Sequence, residues 1–231
     1  MDQRSPEPAG TPVGRRTVLG LIGLGAAGVL GVNWLQNRLA DVLAPVEDDD
    51  PTGLTALLPL GQTFRFYSVT GSVPRRTAAD YRLEVAGLVE RTATYSLPDL
   101  QAMPQTSLVS DFQCVTGWRV PAVHWRGVPL SALLDRSVPA AGATAVRFWS
   151  FDGTYTESMT LAAARRPDVL VALRMLGGPV TPEHGGPVRI YAASMYGYKS
   201  TKWLSRIELT RREIPGYWEH YGYDVDGTIR T

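Results

Sequence analysis

Glycine and proline interrupt this chain too often for a bundle of long helices. Its 231 residues include 23 glycines and 17 prolines, which end helices, break ladders and set tight turns. What lies between them is a series of short, mostly alternating segments, the pattern of a turn-rich β or α+β domain. Hydrophobic content of 44% against 19% charged excludes a disordered or fibrous chain. The length suits one large domain or two small ones, at about 100–200 residues each. From about Pro45 onward no second composition break or repeat occurs, so the sequence reads as one domain over residues 61–231.

The segments can be placed individually. Phe64–Val69, Arg82–Gly87, Ser107–Gln113, Val169–Met175, Val188–Ala192 and Ser205–Thr210 read as strands. Ala145–Ser150 and Tyr155–Met159 read as a hairpin around Asp152-Gly153, a favoured two-residue turn. Ser96–Leu100 starts a short helix, with Ser96 or Asp99 as its cap and Pro98 tolerated in the first turn. Pro129–Leu134 and Leu161–Arg166 are further short helices. The predicted fold class is α+β, mixed sheets with short helices inserted.

The first 60 residues differ in kind. Arg15-Arg16-Thr17 precedes an uncharged stretch, Val18 to Leu35, which five glycines keep modestly hydrophobic. Paired arginines before such a core fit the twin-arginine variant of an export signal. A membrane anchor is the alternative, since roughly 18–20 apolar residues can just span a bilayer. Residues 1–44 are therefore predicted to be a signal or anchor, and the acidic stretch 45–60 a linker. The protein is expected to be exported, by a route that carries folded chains and so permits a cofactor inserted beforehand. With 23 basic residues against 22 acidic ones, no global field recruits nucleic acid.

One cysteine, Cys114, excludes an intramolecular disulfide and any multi-thiolate cluster. It ends a strand and precedes Gly117 and Trp118, at a sheet rim where loops form pockets. A lone cysteine is commonly a small buried hydrophobe. If functional, it is either a nucleophile beside His124 or His184 or a soft ligand for one metal. A second cluster runs from His184 through Gly185, Gly186 and Arg189 to Tyr196–Trp203. Its glycines would let the backbone approach a ligand closely, and its hydroxyls, backbone N–H groups and two lysines could cradle a phosphate. A solvated basic turn is the competing reading. The cluster is not the Walker pattern, and no GxGxxG follows a strand. Trp118 and Trp125 read as pocket walls or core, and the Tyr217–Tyr221 tail with His220 as surface packing.

Cys114–Trp118 with Trp125–Leu130, then Pro182–Arg189, then Tyr196–Trp203, resemble the molybdopterin-binding oxidoreductase domain of the sulfite oxidase superfamily. The motifs stand in family order from about Phe64 to Thr210, and the branch they most resemble is the bacterial exported methionine sulfoxide reductase catalytic subunit. The resemblance implies Mo-molybdopterin as cofactor, with Cys114 as catalytic residue and molybdenum ligand. It implies that His184 and Arg189 hold the pterin and its phosphate, and that Lys199, Ser200, Thr201 and Lys202 grip the phosphate end. Tyr67 and Ser68 match an early segment that touches the cofactor, and Ser150 a hydroxyl near it.

The sequence also departs from the pattern. His184 is the residue of sulfite oxidases, where the reductase branch has Asn, and Ser68 stands where that branch is acidic. The arginine that sulfite oxidases place shortly after their cysteine is missing from Val115–Trp118, which argues against an anion pocket for sulfite. The immunoglobulin-like dimerisation domain of sulfite oxidases is not expected, and a monomer is. The expected activity is oxygen-atom transfer, with reduction of methionine sulfoxide as the candidate reaction, on a small-molecule or protein-bound oxidised substrate. Electrons would come from a separate redox partner, a membrane haem protein in the resembling branch. The alternatives are a sulfite-oxidising enzyme on the same fold and a non-catalytic exported binding module.

Overall fold

A computed structural model describes Phe64 and residues 67–229. These lie in one compact unit, Gln62–Thr231. The export signal, the linker and part of the strand predicted at Phe64–Val69 fall outside the described residues; Tyr67 to Val69 carry no regular structure. Among the described residues no helix is long and apolar enough to cross a membrane.

Two five-stranded sheets organise the unit. In the first, β1 (Arg82–Gly87) lies between β2 (Ala93–Ser96) and β10 (Leu204–Thr210), and β10 continues to β5 (Ala145–Ser150) and β6 (Thr156–Thr160). The β1–β10 pair is parallel and all others antiparallel. The second sheet runs β3 (Thr106–Gln113), β4 (Arg119–Pro129), β7 (Val169–Met175) and β8 (Gly178–Pro179), with β9 (Arg189–Ala192) also on β7. Among the described residues three short α-helices are inserted: α1 (Leu97–Ala102), α2 (Leu130–Ser137) and α3 (Leu161–Ala164). The predicted α+β class with mixed sheets holds.

Local chemistry accounts for the starts and turns. Ser96 caps α1 through a reciprocal pair, accepting from Asp99 N–H while the Asp99 carboxylate accepts from Ser96 N–H. Asp152 builds the β5–β6 turn by accepting from the N–H groups of Thr154 and Tyr155 at 2.8 Å each.

β4 was not legible as a strand because two prolines stand in it. The structure accommodates Pro121 at a bulge: Ser110 pairs with Val123 and Phe112 with Val120, so Asp111 faces the extra residues. Ala122 takes a positive φ of 49° there, and its N–H donates to the Asp111 carboxylate at 2.9 Å. Pro129 ends the strand, where no further ladder bond is needed. β7 is the opposite case, a continuous apolar run buried on both faces. Val169, Val171 and Leu173 join the main core with Leu83, Phe148 and Leu133, while Leu170 and Ala172 join a second cluster with Phe112, Trp125 and Tyr191. That second cluster is the floor on which the site stands.

Candidate active site

Cys114 leaves the end of β3 on a tight turn. Its N–H donates to Trp118 O at 2.9 Å, and its carbonyl accepts from Gly117 N–H at 3.1 Å. Gly117 supplies the positive φ of 99° that the reversal demands. The half-buried thiol sits 3.2 Å from the Thr116 hydroxyl. It opens onto a cavity of about 390 Å³, which its loop neighbours Val115, Thr116 and Trp118 also line.

A second wall is stapled by Arg189. This residue leaves β9 on the side of the second cluster, with its guanidinium 5.4 Å from the Phe112 ring centre and 5.5 Å from that of Trp125. Buried to 3% exposure, it donates to the carbonyls of His184 at 2.7 Å, Ser200 at 3.0 Å and Ile190 at 3.3 Å. Two loops distant in sequence are thereby tied to one cation. No carboxylate forms an ion pair with it among the described residues. Burial lowers its pKa to about 10, which leaves it charged at neutral pH.

His184 and Lys202 complete that wall. The His184 ring packs on Phe64, centroids 5.0 Å apart; burial first, then Arg189 and Lys202, lower its pKa, so the imidazole is neutral at pH 7. Half-buried Lys202 donates to the Tyr67 carbonyl and lies 4.7 Å above the Trp203 ring. Burial and then the Arg189 charge lower its pKa to about 7, with Asp152 opposing. The site thus holds closely spaced basic groups whose charges repel, an arrangement an incoming anion relieves.

Cys114, Tyr67, Ser68, His184, Arg189, Ser200 and Lys202 all line this one cavity. Three predicted residues do not. Ser150 is buried at the head of the Asp152 turn, its hydroxyl accepting from Asp152 N–H at 3.1 Å. Thr201 is fully buried, and its hydroxyl has no hydrogen-bond partner among the described residues. Lys199, expected at the phosphate, points away into the protein, where Glu157 and Glu219 surround a fully buried ammonium. The glycines of the His184 loop also serve another purpose than ligand approach. A Cβ on Gly185 would lie 2.6 Å from Lys202 Cβ, and one on Gly186 2.0 Å from Val180 O, so both admit the protein's own chain.

Sequence reading missed the remaining walls. Asp152 lines the cavity, and its Oδ2, buried without a hydrogen-bond partner among the described residues, is an acceptor left over after the other oxygen has made the turn. An Asp-Gly turn signals a hairpin and carries no hint of that second role. Tyr155, Trp218 and Tyr223 line the cavity as well. Trp218 comes from the Tyr217–Tyr221 tail that reads as surface packing, and Tyr223 follows just beyond it; His220 and Tyr221 keep to that reading, both exposed, with His220 Nδ1 2.6 Å from Gly216 O. Burial first, then Cys114, raises the Tyr223 pKa, so its hydroxyl stays protonated near the thiol.

A histidine-assisted nucleophile finds no support in this geometry. His124 is exposed on β4 and is not part of the cavity lining. His184 shares the cavity, but the thiol's hydrogen-bond contact is with Thr116. No group of three His, Cys, Asp or Glu residues is placed to hold a metal among the described residues, so a metal bound by Cys114 draws its other ligands from a cofactor.

Comparison with known proteins agrees. A family model for the oxidoreductase molybdopterin binding domain matches residues 70–218. The uncharacterized oxidoreductase YuiH of Bacillus subtilis is 33% identical over 68% of this chain and 80% of its own. A putative protein-methionine-sulfoxide reductase subunit, YedZ1, of Azospira oryzae is 32% identical over 77% of this chain and 69% of its own. The protein-methionine-sulfoxide reductase catalytic subunit MsrP of Ralstonia nicotianae is 29% identical over 88% and 71%. Among solved structures, the sulfane dehydrogenase SoxCD of Paracoccus pantotrophus shares the fold, with a TM-score of 0.57 at 21% identity over 62% of this chain and 41% of that one. The chain belongs to the molybdopterin-binding oxidoreductase domain family.

Proposed function

We propose that this molybdopterin-dependent oxidoreductase acts outside the cytoplasm by oxygen-atom transfer, reducing sulfoxides and methionine sulfoxide in particular. The observation that carries the reading is that a lone thiol and the basic groups of Arg189 and Lys202 open on one cavity lined with aromatic rings. The residues suit the cofactor at both ends: a soft ligand at Cys114, cations at Arg189 and Lys202 for a phosphate, and an orphaned acceptor at Asp152 for pterin N–H groups. Bound molybdenum supplies two-electron exchange of an oxygen atom.

The chain's own part is binding and orientation. Cys114 would hold the metal against the β3–β4 turn, while Arg189, His184, Ser200 and Lys202 hold the anionic end. Tyr67 and Ser68 border the same cavity. The residues that follow the thiol and line the cavity, Val115, Thr116 and Trp118, include no arginine, which favours a neutral sulfoxide over a sulfite dianion. The protonated Tyr223 hydroxyl can donate to its oxygen. The reaction balances as sulfoxide plus two electrons and two protons giving thioether and water. The electrons would come singly from a separate redox partner, which the word subunit in the names of two relatives supports, and the resemblance to the reductase branch implies a membrane haem protein in that role. The Arg15-Arg16 segment supports twin-arginine export.

The test is protein expressed with residues 1–44 in a molybdopterin-producing host, assayed with reduced viologen for methionine sulfoxide reduction beside sulfite oxidation. About one molybdenum per chain with sulfoxide turnover is expected. Sulfite oxidation alone would replace the substrate assignment, and ligand binding by metal-free protein without turnover would favour a binding module.

A further inference from the structure

We propose that Lys199 is a positioning residue, whose ammonium, clasped by Glu157 and Glu219, anchors the tail segment that carries Trp218 and Tyr223 into the cavity wall.

Lys199 is 0% exposed, the least expected fate for a lysine in a basic loop. Its Nζ donates to Glu157 Oε1 at 3.0 Å, to Ser158 O at 2.9 Å and to Glu219 Oε1, so all three hydrogens are spent inside the protein. Glu219 is the link to the tail. Its other oxygen accepts from Gly216 N–H at 2.6 Å, closing the turn that begins the segment. Gly216 itself is pressed on β6: a Cβ there would lie 2.5 Å from Thr156 O and 2.9 Å from Glu157 Oε1. Tyr217 N–H then donates to Thr156 O at 2.9 Å, and Trp218 follows with its ring 5.6 Å from Tyr67 and 5.2 Å from Tyr223. Farther on, Gly227 leaves room for the Lys199 stem, since a Cβ there would lie 2.7 Å from both Cγ and Cε.

The charge balance is also local. Two carboxylates around one buried ammonium leave an excess negative charge unless one holds a proton. Glu157 is the one: burial and the Glu219 charge raise its pKa against the pull of Lys199, and its Oε2 has no partner among the described residues. Glu213, Tyr155 and Tyr198 face the same cluster, and each has its pKa raised chiefly by burial. A neutral, dry clasp of this kind costs more to break than an exposed pair. Through it the tail is tied to β6.

The effect on catalysis rests on the cavity being the active site; the anchoring does not. Hydrogen exchange on the full chain separates them. In Lys199→Met, protection of amides 216–223 should fall about a hundredfold, with β7 and β9 protection retained. Molybdenum and pterin content should stay at the wild-type level while KM rises on the order of tenfold with kcat held within about twofold. Lys199→Arg should restore protection in part. Lys199→Met/Glu219→Gln, which strands no charge, should fold and show the same local loss. Intact protection at 216–223 in both variants would overturn the anchoring. Cofactor loss with that protection intact would make Lys199 a cofactor ligand. Global unfolding of the double variant would assign it to the core. Loss of protection without any sulfoxide turnover in wild type would leave the anchor standing and sink the proposed function.

Discussion

The cavity has two walls held by different physics. One is built on the second sheet, where Phe112, Trp125 and Tyr191 form a packed floor and Trp125 stacks on Tyr191 at 4.0 Å. Cys114 and Arg189 project from strand ends fixed by that floor. The other wall is the irregular tail, held by the Lys199 clasp, by the Ser158 hydroxyl donating to Ile214 O at 2.8 Å and by Tyr198 donating to Asp224 O at 2.5 Å. The metal ligand and the anion cradle stand on a ladder whose register cannot slip without turning side chains to the wrong face. The aromatic cover stands on a few polar contacts, the kind of region that opens locally before the core does. Chemistry that needs exact placement sits on the sheet, and contacts that admit a substrate sit on the tail.

The largest effect that would separate the two walls is at the thiol. Cys114→Ser should lower turnover about 10³-fold, with Tm within about 2 °C of wild type, because the residue is half-buried on a turn. Viologen-linked turnover beside thermal denaturation reads both. At Arg189→Met the sheet-side wall itself should suffer. Three carbonyls lose their donor, costing about 2–4 kcal/mol and lowering Tm by roughly 5–12 °C. Phosphate affinity, by calorimetry, should weaken about tenfold to a hundredfold. A Tm within 1 °C of wild type would show that the loops at His184 and Ser200 do not depend on the cation.

Lys202 sharpens the contrast through pH. Its pKa is lowered to about 7, so its charge is present below pH 7 and lost above it. Phosphate affinity should fall about tenfold from pH 6 to pH 8, with proton uptake on binding near pH 7–8, visible as a dependence of the heat on buffer ionisation. Lys202→Arg should flatten the profile. The linkage to stability has the opposite sign. Between pH 7 and about 10.5 the unfolded chain holds the proton that the folded one releases, so this residue's contribution to stability rises with pH. The smallest effect belongs to the tail: Trp218→Ala should raise KM about threefold to tenfold and leave Tm and molybdenum content unchanged. A loss of cofactor there would erase the distinction between the walls.

Much of the fold could be read because its causes are local. Arg82–Gly87 and Val169–Met175 alternate or run apolar by themselves and need no partner to be recognised. Ser96 with Asp99, and Asp152 with Gly153, declare a cap and a turn within four residues. β4 escaped because a proline is acceptable at a bulge, and the bulge exists only once Asp111 on β3 faces Ala122. Several described cavity residues were missed for the same reason. Asp152 and Tyr155 look like turn and strand residues, Trp218 looks like part of a surface tail and Tyr223 carries no signal of its own, until the chain folds back on Cys114.

The two lysines of the Gly197–Trp203 loop draw the line between what each level decides. Sequence alone established most of the strands, the turn that presents a single thiol, and the cationic character of this loop, since these depend on neighbours a few residues apart. Only the tertiary structure decided that Lys202 faces the cavity while Lys199 is buried inside. The carboxylates that claim Lys199 lie 42 residues before it and 20 after it, and a charge belongs to the partner that folding brings within reach.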